Sequence, residues 1–181
     1  MTATSRIDRL APSLAAAGGL AYALEGAIAA RASQPEHHWH ASGYAIEAAF
    51  IVALLATIPV VPLLRAGSSR AERLAARLSQ LGFAAMLASA IASVAAGGDA
   101  LGPAFFGGVL AALAGLLVLA VPAIRARRPG WWAAPLALVG VVLGMALGDH
   151  GGGILLGLAW IGISIALRER LEQTLPAAAN T

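Results

Sequence analysis

Residues 131–167 read WWAAPLALVGVVLGMALGDHGGGILLGLAWIGISIAL. The stretch is apolar almost throughout, yet it is too long for one membrane span, which takes ~20 residues. Its centre carries the run Gly148-Asp149-His150-Gly151-Gly152-Gly153. Glycine at that density breaks a helix, and an acid beside an imidazole is costly within lipid. The stretch therefore reads as two helices, about 131–148 and 152–168, joined by a tight turn. Four further apolar runs lie upstream, at about 10–30, 41–64, 76–97 and 103–124. The expected fold is all-α: one domain over residues 1–181, six transmembrane helices in an antiparallel up-down bundle.

Composition agrees with that class. Hydrophobic residues make up 59% of the 181-residue chain, with 21 glycines in addition, and only 12% of residues are charged, where about 25% is usual in a soluble domain. There is no cysteine, which excludes disulfides and thiolate metal sites. All twelve basic residues are arginine, so no lysine is present to hold retinal as a Schiff base. The pI of about 10.6 does not signal nucleic-acid binding, because the arginines fall between apolar runs in an alternating order. Arginine in place of lysine, with much alanine and glycine, points to a GC-rich bacterial genome.

That alternating order sets the orientation. Arg6 and Arg9 precede helix 1; Arg65, Arg70, Arg73 and Arg77 separate helices 2 and 3; Arg125, Arg127 and Arg128 separate helices 4 and 5; Arg168 and Arg170 follow helix 6. Only Arg31 lies on the other side. By the positive-inside rule both termini are cytoplasmic, and the expected location is a bacterial inner membrane. The first apolar run is read as a retained helix rather than a cleaved signal, since it is longer than the usual core of ~7–15 residues and contains Glu25.

Small residues permit close helix approach in lipid. Gly140, Gly144 and Gly148 form a ridge on helix 5, and Gly153 and Gly157 recur at the same spacing on helix 6. Helices 5 and 6 are expected to cross there; the alternative use of the ridge is a homo-oligomer. Trp131 and Trp132 open helix 5 beside arginines, as interfacial anchors.

The orientation collects the chemistry on the outer face. Glu36, His37, His38 and His40 fall in outer loop 1, Asp99 in loop 2, and Asp149 with His150 in loop 3. Glu25 and Glu47 lie inside spans, roughly 8–10 Å below the outer helix ends. Both tyrosines have a glutamate three residues on, Tyr22 with Glu25 and Tyr44 with Glu47, hence on one helix face. Acids within a span face the bundle interior or a wet cavity, and two close together cannot both ionise cheaply. Four uses remain open: a structural hydrogen-bonded pair, a ligand or metal pocket, acid–base catalysis by Glu25 and Glu47, and ion coupling. For a metal the donors are His38, His40 and His150, a set suited to zinc, copper or nickel; for a small ligand they are Tyr22, Tyr44 and Asp149. No histidine is deep enough for bis-histidine haem.

A small helical bundle with carboxylates buried near one membrane face is similar to the integral-membrane terpene cyclases and sterol-isomerase-type proteins, and the likeness rests on Glu25 and Glu47 alone. Those proteins protonate an epoxide or olefin with a buried acid, so the resemblance implies a prenyl or other lipid substrate. Three functions are thus carried forward: an outward-facing acidic and histidine pocket for a small ligand or metal ion, a membrane-embedded acid–base enzyme, and a non-catalytic accessory or immunity-type subunit. Membrane lipid is the expected partner in each.

Overall fold

A computed structural model describes residues 6–31, 41–97 and 102–174. Glu36, His37, His38, Trp39, His40 and Asp99 lie outside the described residues. The described chain is helical, with no strand. Its elements are α1 (Arg6–Ala29), α2 (Ala41–Thr57), a 3-10 stretch (Ile58–Leu64), α3 (Arg70–Ala96), α4 (Gly102–Ala126), α5 (Ala133–Leu147), a 3-10 turn (Gly148–His150) and α6 (Gly152–Thr174). Three helical segments are long and apolar enough to cross a membrane: Ala41–Leu64, Arg70–Ala96 and Gly102–Ala126, of 24, 27 and 25 residues. At 15 residues α5 is only about 22 Å long, short of a ~30 Å hydrocarbon core without its flanking turns.

One sequence expectation changes in detail. The second apolar run is not a single α-helix. Pro59 and Pro62 lack the N–H groups that an α-ladder needs, and Thr57 turns its hydroxyl back onto the Ala53 and Leu54 carbonyls, at 2.9 and 3.3 Å. The chain tightens into seven residues of 3-10 helix, longer than the usual run.

The six helices form a ring in which each packs on its neighbours in sequence, and α1 closes on α6 through the most extensive contact of all. Directions alternate. Gly18 meets Ala53 and Thr57, Gly82 meets Gly108 and Ala112, and Gly140 and Gly144 meet Leu156. Phe83 and Trp160, both fully buried, meet edge to face at 6.3 Å across the ring.

A few large side chains such as Trp160, Tyr22 and Phe83 are buried among many small ones. The interior is largely alanine and glycine, including Ala15, Ala53, Ala112, Ala134 and Ala137. Bulky apolar residues point outward from every helix, with Leu20 64%, Leu81 68% and Leu110 68% exposed. In water such a surface would aggregate; against lipid tails it costs nothing, and the small interior residues let backbones approach.

The closing seam is backbone against backbone. A Cβ on Gly19 would fall 2.7 Å from the Gly157 carbonyl oxygen, and one on Gly26 would fall 2.8 Å from the Gly153 Cα. Gly153 and Gly157 were expected to face α5. They face α1 instead, because α6 carries two small faces: Gly152, Ala159 and Gly162 pack on α5, and the Gly153–Gly157 face is rotated away from them. On α5, Gly140 and Gly144 pack against α6 of the same chain, while a Cβ at Gly148 would meet open space.

The seam predicts a sharp contrast between two alanine substitutions. Gly157→Ala drives a methyl into the α1 backbone and should cost about 1–3 kcal/mol. Gly107→Ala meets nothing within 4 Å and should be neutral or stabilising by up to about 1 kcal/mol. Thermal unfolding of the detergent-solubilised protein measures both.

Candidate functional site

Alternating helix direction sends the ionisable residues to two ends. At the first end stand the C-terminus of α1, the N-terminus of α2, the C-termini of α3 and α5, and the start of α6. Glu25, on the last two turns of α1, is half-buried, and its Oε2 occupies the place that a side chain on Gly153 would take. Gly153 is in the first turn of α6, where backbone N–H groups have no partner within the helix and the dipole favours an anion. A side chain there would displace the carboxylate, so the absence of one is what admits it.

Tyr22, one turn deeper, is fully buried and meets Phe50 of α2 edge-on at 5.9 Å. Its hydroxyl lies beside Thr57. The Thr57 hydroxyl donates to Ala53 and Leu54, and the Tyr22 hydroxyl has no hydrogen-bond partner among the described residues. On α2, Tyr44 is 42% exposed, and its hydroxyl lies 3.0 Å from where a Cβ on Gly97 would be. Gly97 closes α3 in the left-handed conformation, φ 67°. Glu47 is half-buried one turn along from Tyr44. The two tyrosine–glutamate pairs thus look toward different neighbours: Glu25 abuts α6, and Tyr44 abuts the end of α3.

Asp149 and His150 form the 3-10 turn before α6, and His150 is exposed. The next residue, Gly151, packs on Ala30 at the end of α1. Among the described residues no three histidine or carboxylate side chains gather as a metal shell; His38 and His40 lie outside them.

The opposite end holds an arrangement that the sequence reading missed. A cleft of about 400 Å³ opens between Arg65, Arg128, Trp131, Arg170 and Gln173, floored by Ala123. Arg170 projects from α6 and ties two loops together. Its Nε and Nη2 donate to the Pro129 and Gly130 carbonyls at 3.0 and 2.7 Å, and its Nη1 donates to Leu63 at 2.7 Å. Arg65 donates through Nε to Pro62, 2.7 Å, and Arg128 through Nη1 to Ala66, 3.4 Å.

Glu72 fixes the same loop from its other side. Its carboxylate accepts from the backbone of Ala66, Gly67 and Ser69 at 3.1, 2.8 and 3.3 Å and from the Ser69 hydroxyl at 2.8 Å. The Glu72 N–H donates in return to the Ser69 hydroxyl oxygen, completing a capping box for α3. The sequence carries this signal as Ser69-Arg70-Ala71-Glu72. In the sequence the arginines serve only as markers of orientation; nothing local says that Arg65, Arg128 and Arg170 converge.

Glu72 stands ahead of the apolar part of α3, and its environment sets a pH dependence. Burial pushes its carboxyl up, but the four donors outweigh this and hold it below its ordinary value of 4.5. A depressed pKa contributes stability that is present above 4.5 and is lost as pH falls through the folded-state value. The stability difference between wild type and Glu72→Gln should therefore stay constant near neutrality and narrow in acid. Ser69→Ala should cost about 1 kcal/mol at neutral pH. Thermal unfolding across a pH series measures both.

No protein-family model matches this chain, and no curated protein or solved structure matches it either.

Proposed function

We propose that this chain crosses a bacterial inner membrane six times with both termini in the cytoplasm, and that the end remote from the arginines is an outward-facing acidic pocket for a small ligand, with a divalent metal ion as the simplest case. Orientation is supported by the eleven arginines shared among the termini and the loops at one end, and insertion by the bulky apolar residues that point outward from every helix. The observation that carries the pocket is Glu25. An acid in an apolar helix is costly, yet here a glycine on the facing helix makes room for it.

In this reading Glu25 supplies the hard oxygen donor, and Glu47 and His150, which do not gather with it as a metal shell among the described residues, lie toward the same end. His38 and His40, outside the described residues, are the further donors of this reading. Tyr44 is the exposed tyrosine offered to the ligand, with Tyr22 buried one turn below Glu25.

Two experiments test it. Reporter fusions at Arg70 and Arg127 should read cytoplasmic, and one at Trp39 extracytoplasmic; a cytoplasmic Trp39 would contradict the orientation. Zinc titration of the purified protein should find about one ion, bound more weakly below the ~6.5 pKa of histidine. Glu25→Gln, and the pair His38→Ala with His40→Ala, should each weaken binding by at least about tenfold. Unchanged binding in both would remove these residues from any site.

A further inference from the structure

We propose that the cleft between Arg65, Arg128, Trp131 and Arg170 binds a phosphate group, as carried by the headgroup of an anionic phospholipid. The lipid source rests on the membrane reading given above, whereas the phosphate chemistry rests on the cleft alone.

The three guanidinium groups come from three separate segments: the end of the 3-10 stretch, the α4–α5 loop and the last turns of α6. Their convergence concentrates positive charge around a space of about 400 Å³, large enough for a substituted phosphate. Arg65 and Arg128 each direct a donor to a backbone carbonyl. Such bonds orient a guanidinium without cancelling its charge, and each guanidinium carries five N–H donors. Glu72, on the element that follows the Arg65 loop, already accepts from four donors of Ala66, Gly67 and Ser69. Planar forks held around a cavity match the oxygens of a phosphate better than point charges would.

The loop that presents Arg128 is built for close approach. Arg127 takes the left-handed conformation, φ 45°, to end α4, and Gly130 takes it again at φ 63°. A Cβ on Gly130 would stand 2.5 Å from the Ala166 carbonyl oxygen and 2.9 Å from Arg170 Nε. Only glycine lets this loop press onto α6 and bring Arg128 beside Arg170. Arg125 and Arg127, which serve orientation equally well, do not line the cleft.

Trp131 lines the rim and is partly exposed. It stands at the start of α5, at the level where an interfacial tryptophan meets lipid headgroups. Basic pockets between helix ends are suited to anionic headgroups, which the bilayer supplies at high local concentration.

The test is native mass spectrometry of the detergent-solubilised protein offered equal amounts of phosphatidylglycerol and a phosphate-free galactolipid, with calorimetric titration of glycerol 3-phosphate as the soluble arm. Phosphatidylglycerol should be retained at least about tenfold over the galactolipid, and glycerol 3-phosphate should bind more weakly than the lipid. If glycerol 3-phosphate binds as tightly, the phosphate site stands with a soluble ligand, and the same arm keeps the proposal testable should the membrane reading fail. Arg170→Gln would open both loops, so the informative variant is Arg65→Gln with Arg128→Gln, checked for an unchanged elution volume and unfolding midpoint. It should lose the preference, and Arg125→Gln should keep it. Equal retention of both lipids with no glycerol 3-phosphate binding would overturn the proposal, as would a preference unchanged in the double variant.

Discussion

The contact on which the architecture depends is the glycine seam between the first and last helices. Gly19 and Gly26 of α1 lie against Gly157 and Gly153 of α6 so closely that a methyl group on any of them would collide with backbone. This seam turns a row of six helices into a closed ring. It also fixes the place of α1, which contains Pro12, paired glycines, Tyr22 and Glu25 and is not among the three segments long and apolar enough to cross a membrane. Packed into the ring, α1 buries its polar and small face against α2 and α6 and turns Leu10, Leu20 and Leu24 outward.

The seam and the site at the acidic end are one piece of structure. Gly153 permits the α1–α6 approach, and the same missing side chain leaves the space into which the Glu25 carboxylate fits. At the arginine end the logic differs. There two loops are held by charged side chains bonding to backbone: Glu72 gathers N–H groups of residues 66, 67 and 69, and Arg170 gathers carbonyls of residues 63, 129 and 130. One end is organised by the absence of side chains, the other by long ones.

Much of the fold was legible in sequence, because helix limits in such a chain are written by breakers and charges. The run Gly148–Gly153 and the spacing of the arginines place the helix ends to within a few residues. What stayed hidden depends on which neighbour a face meets. A helical period puts Gly153 and Gly157 on one face but cannot say whether α5 or α1 lies opposite. The 3-10 stretch was signalled by Pro59 and Pro62, yet their effect on the helix type depends on how Thr57 and the following loop are held. The arginine cleft joins residues about a hundred positions apart, so only the closed ring reveals it. Of the acidic end, the level of Glu25 and Glu47 follows from counting residues, whereas the direction of Glu25 toward Gly153 follows only from packing.

The central claim is that α1 is an integral wall of a closed ring. Hydrogen exchange of the protein in lipid nanodiscs tests it most directly, since protection reports cooperative structure segment by segment. Amides from Ala15 to Gly26 should exchange as slowly as those in the middle of α3 and α4, and together with the facing turns of α6 from Leu156 to Ile163. Rapid exchange through α1, with α2 to α4 still protected, would contradict the account.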